Sequence, residues 1–472
     1  MTTAEATHLE HDTIAAIATP AGRGGIGIVR LSGPGAWAIA TGLVRLRGGL
    51  HAGRVVLAGV LDPAVQHSGT PLDTTIDEAV VTPFRAPHSY TGEDVVEIAA
   101  HGSPVVLETL LRGALASGAR LARHGEFTER AFLNGRIDLT QAEAVHDLIA
   151  AQTLEQARMA AQQLGGALSR RVAPIKEELV TLVALLEAGM DFAAGELDDV
   201  DVVSPQQIRT ALSNVREPLD RLARSYAQGQ RLRDGASLAL VGRPNVGKSS
   251  LFNRLLERER AIVTPLPGTT RDTVEEATAL GGVPLRLIDT AGLRLAGESP
   301  ADEAEALGIA RSREALADAD LVVVVLEANY DLSAEETEII RSLESRPHLT
   351  VRNKADLLPP CGHTLFPATD SLFTSAITGE GLEALRAAII RLLNAGGDAV
   401  TGGVLNSLRQ QEAVTAALES LAAAETANET GVPHEFLLAD LHAALRALDT
   451  LTGQTTSDDI LNRIFSTFCI GK

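Results

Sequence analysis

The stretch that most constrains the fold of this 472-residue chain is GRPNVGKSS, at residues 242–250. It follows the apolar run SLALVG and opens the amphipathic run SSLFNRLLE, so it joins a predicted strand to a predicted helix. Glycine lets the backbone wrap around phosphate groups, and the N–H groups at a helix start attract an anion. The spacing G-x-x-x-x-G-K-[ST] in this context therefore predicts a phosphate-binding loop in an α/β sheet.

Two side chains of this loop carry the predicted chemistry. Lys248, one of four lysines in the chain, would supply a point charge to the β- and γ-phosphates of a nucleotide. The hydroxyl of Ser249 would bind Mg²⁺. The full candidate set in the loop is Asn245, Val246, Gly247, Lys248, Ser249 and Ser250.

Two further segments complete the predicted phosphate and magnesium site. DTAG, at 289–292, ends the apolar run LRLI, so that Asp289 can orient the Mg²⁺ shell and the Gly292 N–H can meet the γ-phosphate. In TPLPGTTRD, at 264–272, Thr270 is expected to join Mg²⁺ only when a γ-phosphate is present. The candidate residues here are Thr264, Pro265, Leu266, Pro267, Gly268, Thr269, Thr270, Asp289, Thr290, Ala291 and Gly292.

NKAD, at 353–356, predicts the site that recognises the base. The Asp356 carboxylate can accept hydrogen bonds from N1–H and N2–H₂ of guanine, whereas adenine presents neither pattern. TSA, at 374–376, stands where a loop against the base edge is expected. The candidate residues are Asn353, Lys354, Asp356, Ser375 and Ala376. Four motifs in this order and spacing indicate GTP binding.

Hydrophobic periodicity divides the chain into four predicted segments. Residues 1–137 alternate short apolar runs with Gly/Pro turns, which favours an α+β domain. Residues 138–234 and 396–472 have Ala/Leu-rich helical periodicity, with one helix predicted to begin near Pro174. Residues 235–395 return to strand–helix alternation, typical of a doubly wound α/β unit. We expect a multidomain α/β and α+β protein in which a P-loop GTPase domain is inserted in a helical domain.

Composition limits the partners of the chain. A net charge of −20 argues against a general binder of polyanions, so any contact with nucleic acid would need a local basic patch. One candidate is a helix with several arginines, which is either a solvated face or a phosphate-contacting stripe for tRNA. Its arginines are Arg209, Arg216, Arg221, Arg224, Arg231 and Arg233.

Cellular location follows from the absence of sorting signals in the sequence. Two cysteines far apart form neither a disulfide framework nor a zinc site. Residues 1–11 lack the basic start of a signal peptide, and no run approaches 18 apolar residues. We therefore expect a cytoplasmic protein without a membrane span.

Beside the nucleotide motifs, the chain contains DTIAAIATPAGRGGIGIVRLSG, YTGEDVVEIAAHG, GEFTERAFLNGRIDLTQAEAV and the terminal CIGK. Together these segments give the whole chain a resemblance to the MnmE (TrmE) family of tRNA-modification GTPases. It implies a homodimeric GTPase whose G domains dimerise in the presence of potassium, with K⁺ contacts at Asn245, Thr264, Leu266 and Thr269. It also implies that Glu305, in DEAEALGIA, acts as the catalytic base; an exposed acid at a helix start is the alternative.

The resemblance further implies that the first domain is folate-binding-like. Its ligand would be a tetrahydrofolate derivative, 5,10-methylene- or 5-formyl-tetrahydrofolate, contacted by Arg30, Glu97, Arg136 and Lys472. A carboxylate suits the pterin edge, and basic groups suit the glutamate tail. For the two arginines, surface salt bridges are the alternative. Cys469 would lie beside the one-carbon chemistry, with its covalent role open, since no histidine is near it in sequence.

Two functions are consistent with these sequence features. In the first, the chain works with an FAD-dependent MnmG/GidA-type partner, in a heterotetramer, on the wobble uridine (U34) of tRNAs. GTP hydrolysis would then accompany addition of a carboxymethylaminomethyl or aminomethyl group to C5 of that uridine. In the second, the chain is a regulatory GTPase switch in ribosome assembly. The second shares the nucleotide motifs but gives no reason for the signatures of the first domain or for CIGK.

Overall fold

The chain divides into two compact units in a computed structural model. The first unit comprises Met1–His146 and Asp449–Lys472, and the second comprises Asp147–Leu448. The structure describes residues 12–62, 75–193, 203–243, 245–256, 277–289, 319–343, 346–358, 371–393, 403–455 and 458–471.

The first unit is built on a seven-stranded sheet. Its strands are β1 (Ile14–Ile17), β2 (Gly24–Ser32), β3 (Val44–Arg45), β4 (Val56–Leu61), β5 (Thr75–Phe84), β6 (Val95–Gly102) and β7 (Arg120–Leu121). They lie in the order β3-β4-β5-β6-β2-β1-β7, antiparallel except for the parallel β1–β7 pair. Helices α1 (Ala36–Leu43) and α2 (Pro104–Ala116) contribute Ile39 and Leu110 to the same core as Val29 and Ile98 of the sheet.

A six-stranded sheet organises the second unit. Its strands are β8 (Ala236–Val241), β9 (Ala277–Leu280), β10 (Val283–Asp289), β11 (Leu321–Glu327), β12 (His348–Asn353) and β13 (Ser371–Phe373), in the order β13-β12-β11-β8-β10-β9. All neighbours are parallel except the β9–β10 hairpin. β8 and β11 are almost continuously apolar and buried, as expected for parallel strands covered on both faces. The carboxyl ends of the parallel strands therefore share one edge, where ligands of such sheets bind.

Helices account for the rest of both units. They are α3 (Glu126–Leu133), α4 (Leu139–Ala150), α5 (Leu154–Leu164), α6 (Ala167–Ala193), α7 (Pro205–Arg224), α8 (Tyr226–Asp234), α9 (Lys248–Leu256), α10 (Ala334–Ser342), α11 (Leu382–Leu393), α12 (Leu408–Thr430), α13 (His434–Thr452) and α14 (Asp458–Phe465). The combination of an α+β sheet, an α/β sheet and long flanking helices confirms the predicted fold class. The four predicted segment boundaries stay predictions.

The predicted helix start near Pro174 is wrong. The helix begins at Ala167 and continues through Pro174, whose ring removes one backbone hydrogen bond from its interior. Val172, Ile175 and Leu179 are buried around it, so packing offsets the local cost.

Among the described residues, no helix combines the length and the apolar character that a membrane crossing requires. Those residues also hold no group of three or more His, Cys, Asp or Glu side chains that could bind a metal ion.

Candidate functional site

The loop predicted to bind phosphate connects β8 to α9, which begins at Lys248. Gly242 has no room for a side chain, since a Cβ there would lie 2.2 Å from the Val325 carbonyl oxygen. Asn245 has a φ of 65°, in the left-handed region that asparagine tolerates better than most residues. The loop therefore follows the edge of the sheet closely before it enters the helix.

Lys248 folds back over this loop. Its Nζ donates hydrogen bonds to the carbonyl oxygens of Gly242, at 2.7 Å, and of Arg243, at 3.1 Å. The ammonium is thus held against the loop that is predicted to wrap the phosphates. Ser249 and Ser250 are exposed in the first turn of α9, where a hydroxyl can reach a metal ion.

Asn353 joins three of the predicted motifs. Its buried side chain donates from Nδ2 to the Val246 carbonyl oxygen at 2.9 Å, and its Oδ1 accepts from the Ala376 N–H at 3.2 Å. Gly247 is required here, because a Cβ would lie 2.4 Å from the Asn353 Nδ2. One amide therefore links the phosphate loop, the end of β12 and the loop after β13.

The base-recognition residues are also held in place. Ser375 Oγ donates to Asp356 Oδ1 at 2.5 Å, which fixes the rotation of that carboxylate. Lys354 has a φ of 64°, and its Nζ contacts Glu327 Oε1 at 2.9 Å. Glu327 is not among the residues that the sequence motifs predict. The sequence signal for it is an acidic residue at the end of the apolar strand β11, because the other motifs follow strands that end at the same edge of the sheet.

Another part of the predicted site lies, in sequence, between α9 and β9 and at or beyond the end of β10. Asp289 ends β10 and pairs in register with Leu240 of β8, but its side chain is not described. The following predicted residues lie outside the described residues: Thr264, Pro265, Leu266, Pro267, Gly268, Thr269, Thr270, Thr290, Ala291, Gly292 and Glu305.

The first unit contains a cavity of about 320 Å³. It is lined by Phe84, His88, Ser89, Tyr90, Val95, Glu97 and Arg136. Glu97 Oε1 accepts hydrogen bonds from Arg30, with Nε and a terminal nitrogen each at 2.8 Å, and Arg136 Nε donates to the Ser89 carbonyl oxygen at 3.1 Å. The structure thus places Glu97 and Arg136 in the lining of one cavity, with Arg30 bound to Glu97.

Aromatic rings surround the Arg30 guanidinium. It lies 5.5 Å from the ring centres of both Tyr90 and Phe127, within the range of cation–π attraction. Burial raises the pKa of Tyr90, against smaller opposing effects of its hydrogen bond to Thr128 and of the Arg30 charge. The Tyr90 hydroxyl therefore stays protonated over the physiological range.

The last residues of the chain pack on the first unit. His124 forms a bridge with Ile470, and its Nδ1 lies 2.9 Å from the Phe468 carbonyl oxygen. An Arg30 nitrogen donates to the Gly471 carbonyl oxygen at 3.4 Å, so the guanidinium that holds Glu97 also holds the tail. Cys469 is exposed, and Lys472 lies outside the described residues.

A histidine is therefore next to the tail in space, although none is near Cys469 in sequence. His124 contacts the backbone of the residue before Cys469, and the two bonded residues are 344 positions apart. The sequence signal for His124 was its position directly before the signature GEFTERAFLNGRIDLTQAEAV, which begins at Gly125. Its contact orients the tail backbone rather than the thiol.

Buried charges fix the helix that follows His124. The Glu126 carboxylate is fully buried and accepts from Arg120 at 2.6 Å, from Arg130 at 3.1 Å and from the Arg123 N–H at 2.7 Å. Burial would raise the pKa of Glu126, but the hydrogen bonds from Arg120 and Arg123 and the nearby positive charges lower it to about 2. This network fixes the start of α3 and with it the surface that receives the tail.

The arginine-rich helix predicted as a possible tRNA stripe forms α7 and α8, separated at Ser225. Several of its arginines already have partners within the second unit. The pairs are Arg216 with Glu425 and Asp220, Arg221 with Glu217, Arg231 with the Leu393 carbonyl oxygen, and Arg233 with Asp147. This pairing favours a structural role for the face.

Fold and motif geometry together define a P-loop GTPase joined to a separate α+β unit. A model of the "MnmE helical domain" matches residues 139–469, and one of the "GTP-binding protein TrmE N-terminus" matches residues 13–136. The tRNA modification GTPase MnmE of Koribacter versatilis is 53% identical, over 98% of this chain and 99% of that protein. Those of Syntrophus aciditrophicus and Aquifex aeolicus are 44% and 39% identical, over 98% of this chain and 99% and 100% of theirs. The chain belongs to the MnmE family of tRNA modification GTPases.

Proposed function

We propose that this chain hydrolyses GTP in the modification of tRNA, adding a carboxymethylaminomethyl or aminomethyl group to C5 of the wobble uridine, U34. Family membership supports the GTPase activity and the tRNA substrate. The proposal includes a homodimer that forms a heterotetramer with an FAD-dependent MnmG/GidA-type partner, in the cytoplasm. The observation that carries the one-carbon part is that Glu97 and Arg136 line one cavity and that Arg30 is bound to Glu97.

The cavity suits a tetrahydrofolate derivative, either 5,10-methylene- or 5-formyl-tetrahydrofolate. A carboxylate such as that of Glu97 can accept hydrogen bonds from a pterin edge, and Arg136 and Lys472 can pair with a glutamate tail. Tyr90 and Phe84 add aromatic lining for a flat ring. Cys469 is assigned to the same reaction because the tail that carries it is hydrogen-bonded to Arg30.

In the nucleotide site, Mg²⁺ would be bound by Ser249 and Thr270. K⁺ would be bound by Asn245, Thr264, Leu266 and Thr269, and Glu305 would act as the base on the attacking water. Asn245 supports this arrangement, since it is exposed in the phosphate loop with a left-handed backbone. Magnesium bridges the phosphates, and a second cation there can neutralise charge on the transferred phosphoryl group, as an arginine does elsewhere.

The decisive test is mass spectrometry of wobble nucleosides from a deletion strain and from strains that carry variants. We expect loss of C5-modified U34 in the deletion strain, restoration by the native chain, and reduced restoration by Arg30→Ala or Cys469→Ser. Full modification in the Cys469→Ser strain would remove the role of that thiol. Unchanged nucleosides in the deletion strain would overturn the whole proposal and point to a regulatory GTPase of ribosome assembly.

Potassium is tested separately by comparing GTP hydrolysis in KCl and in NaCl at equal ionic strength. We expect faster hydrolysis in KCl, and a smaller difference for Asn245→Ala. Equal rates for the native chain in the two salts would remove the potassium assignment while leaving the tRNA reaction in place.

A further inference from the structure

Thr153 and Gln156 lie at the start of α5, and their side chains reach the beginnings of two different strands of the second sheet. They form a reciprocal cap, in which the Gln156 N–H donates to Thr153 Oγ1 at 3.1 Å and the Thr153 N–H donates to Gln156 Oε1 at 3.1 Å. Such a cap by itself stabilises a helix end. Here each side chain also makes one bond away from the helix, which a cap does not require.

Thr153 reaches the turn of the β9–β10 hairpin. Its Oγ1 donates to the Gly282 carbonyl oxygen at 2.8 Å. Gly282 lies directly against the helix, since a Cβ there would be 2.3 Å from Glu155 Cγ. The residue next in sequence, Val283, begins β10. Helix α5 is thus fixed to the beginning of β10.

Gln156 reaches the beginning of β8. Its buried Nε2 donates to the Arg233 carbonyl oxygen at 2.8 Å, and Arg233 lies in the last turn of α8, just before β8 starts at Ala236. Gly235 lies between Arg233 and Ala236 in sequence, and a Cβ there would lie 2.9 Å from the Pro284 carbonyl oxygen of β10. The two strands therefore begin in close contact beneath the same helix end.

β8 and β10 are parallel neighbours, paired from Ala236 and Leu285 to Leu240 and Asp289. At their other ends, β8 leads into the phosphate loop and β10 ends at the first residue of DTAG. A nucleotide-dependent displacement of β10 along β8 would change the distance from Gly282 to the Arg233 carbonyl. The Thr153 and Gln156 side chains span those two points.

The β8 side of this arrangement is fixed to the surrounding helices. Arg233 Nε contacts Asp147 at 2.8 Å, and Asp147 also accepts from Asn406 Nδ2 at 2.9 Å. Gln163, at the other end of α5, donates to the Val404 carbonyl oxygen at 2.6 Å. These contacts hold α5 and the beginning of β8 in place. The Thr153 bond is therefore sensitive mainly to the position of β10.

We infer that Thr153 is a positioning residue that couples the nucleotide state of the β8–β10 edge to helix α5 through its bond to Gly282. The inference rests on the family's GTPase activity and not on folate, potassium or the FAD-dependent partner. Loss of one hydrogen bond in a coupling path corresponds to roughly a five- to tenfold change in the coupled equilibrium.

The test is amide hydrogen exchange of the full chain with Mg²⁺ and either GDP or a non-hydrolysable GTP analogue. In the native chain we expect the amides of 154–164 to exchange at rates that differ about threefold or more between the two nucleotides. Thr153→Ser keeps the hydroxyl and should keep that difference, whereas Thr153→Val should abolish it. The affinity of both variants for GDP should stay within about twofold of the native value.

Thr181→Val is the matched control, because the Thr181 hydroxyl donates only within α6, to the Glu177 carbonyl oxygen at 2.9 Å. It should leave the nucleotide-dependent difference unchanged. If Thr153→Val does not fold, Gln156→Glu keeps the cap acceptor but removes the bond to Arg233, and should reduce the difference at least twofold. Equal exchange in both nucleotides for the native chain, or an unchanged difference in Thr153→Val or Gln156→Glu, overturns the inference.

Discussion

The nucleotide site and the cavity of the first unit are assembled in different ways. In the nucleotide site, GRPNVGKSS, NKAD and TSA are contiguous motifs that each lie at the end of a strand, so a parallel sheet brings them to one edge. The cavity is instead lined by Glu97 and Arg136, and Arg30, which binds Glu97, also binds the tail 441 residues away in sequence. A site of the first kind can be inferred from motifs alone. A site of the second kind depends on distant packing, so changes far from its lining should affect it.

The largest expected effect follows from the local character of the nucleotide site. Lys248→Ala should lower kcat/KM for GTP hydrolysis by roughly a thousandfold, because the charge against the phosphate loop is lost. The thermal unfolding of the first unit, followed by fluorescence of its single tryptophan, Trp37, should not change. Lys176→Ala, in α6, is the control and should keep full activity. A loss below tenfold for Lys248→Ala would contradict the assignment.

The distant packing of the first unit predicts a strong dependence on Glu126. Because its pKa is lowered from 4.5 to about 2, its stabilising contribution is complete above about pH 5 and is lost as pH falls towards 2. That difference corresponds to about 3 kcal/mol. The neighbouring Glu129, whose pKa is raised by burial, offsets part of it. Glu126→Gln should therefore destabilise the first unit at pH 7 and flatten this pH dependence.

Trp37 fluorescence during urea unfolding measures this effect, since the chain has one tryptophan and it lies in the first unit. Glu108→Gln is the matched control, because its carboxylate is 58% exposed and pairs with Arg112 on the surface of α2. A surface pair of this kind contributes about 0.5 kcal/mol or less. The same pH dependence in Glu126→Gln and the native chain would show that the buried network does not stabilise the unit.

Base recognition offers a sharper test of a locally encoded site. Asp356→Asn replaces a carboxylate by an amide that can donate to a base carrying a carbonyl at C2. We expect GDP affinity to fall by roughly a hundredfold and affinity for xanthosine diphosphate to rise, measured by fluorescence titration. Asp220→Asn, on α7, should change neither affinity. An equal fractional loss of affinity for both nucleotides would mean that Asp356 supports the fold rather than recognising the base.

How far the sequence predicts these sites depends on the range of the contacts. The strand–loop–helix at 242–250 and the alternation of the second sheet could be predicted because period and turn residues act locally. Pro174 was misread because buried neighbours, which periodicity does not reveal, keep the helix intact around it. Glu327 and His124 were missed because their partners, Lys354 and the Phe468 carbonyl, are brought near only by the fold.

The smallest expected effect is that of a substitution at the chain end. The chain end distinguishes the two kinds of site because only the cavity of the first unit depends on contacts with it. Gly471 has a φ of 97°, and a Cβ there would lie 2.5 Å from the Ile17 carbonyl oxygen. Gly471→Ala should therefore loosen the tail at a cost of about 1–2 kcal/mol. Alkylation of Cys469, in a Cys361→Ala background, should become several times faster.

Gly431→Ala is the matched control for backbone strain alone. Gly431 also has a left-handed φ, 67°, but a Cβ there would meet no atom within 4 Å. It should leave Cys469 alkylation unchanged. Equal alkylation rates in Gly471→Ala and the native chain would mean that close contact with β1 does not hold the tail. The Arg30 bond to the Gly471 carbonyl would then have to position Cys469 without the contact between Gly471 and Ile17. In that case the cavity would depend less on distant packing than its geometry indicates.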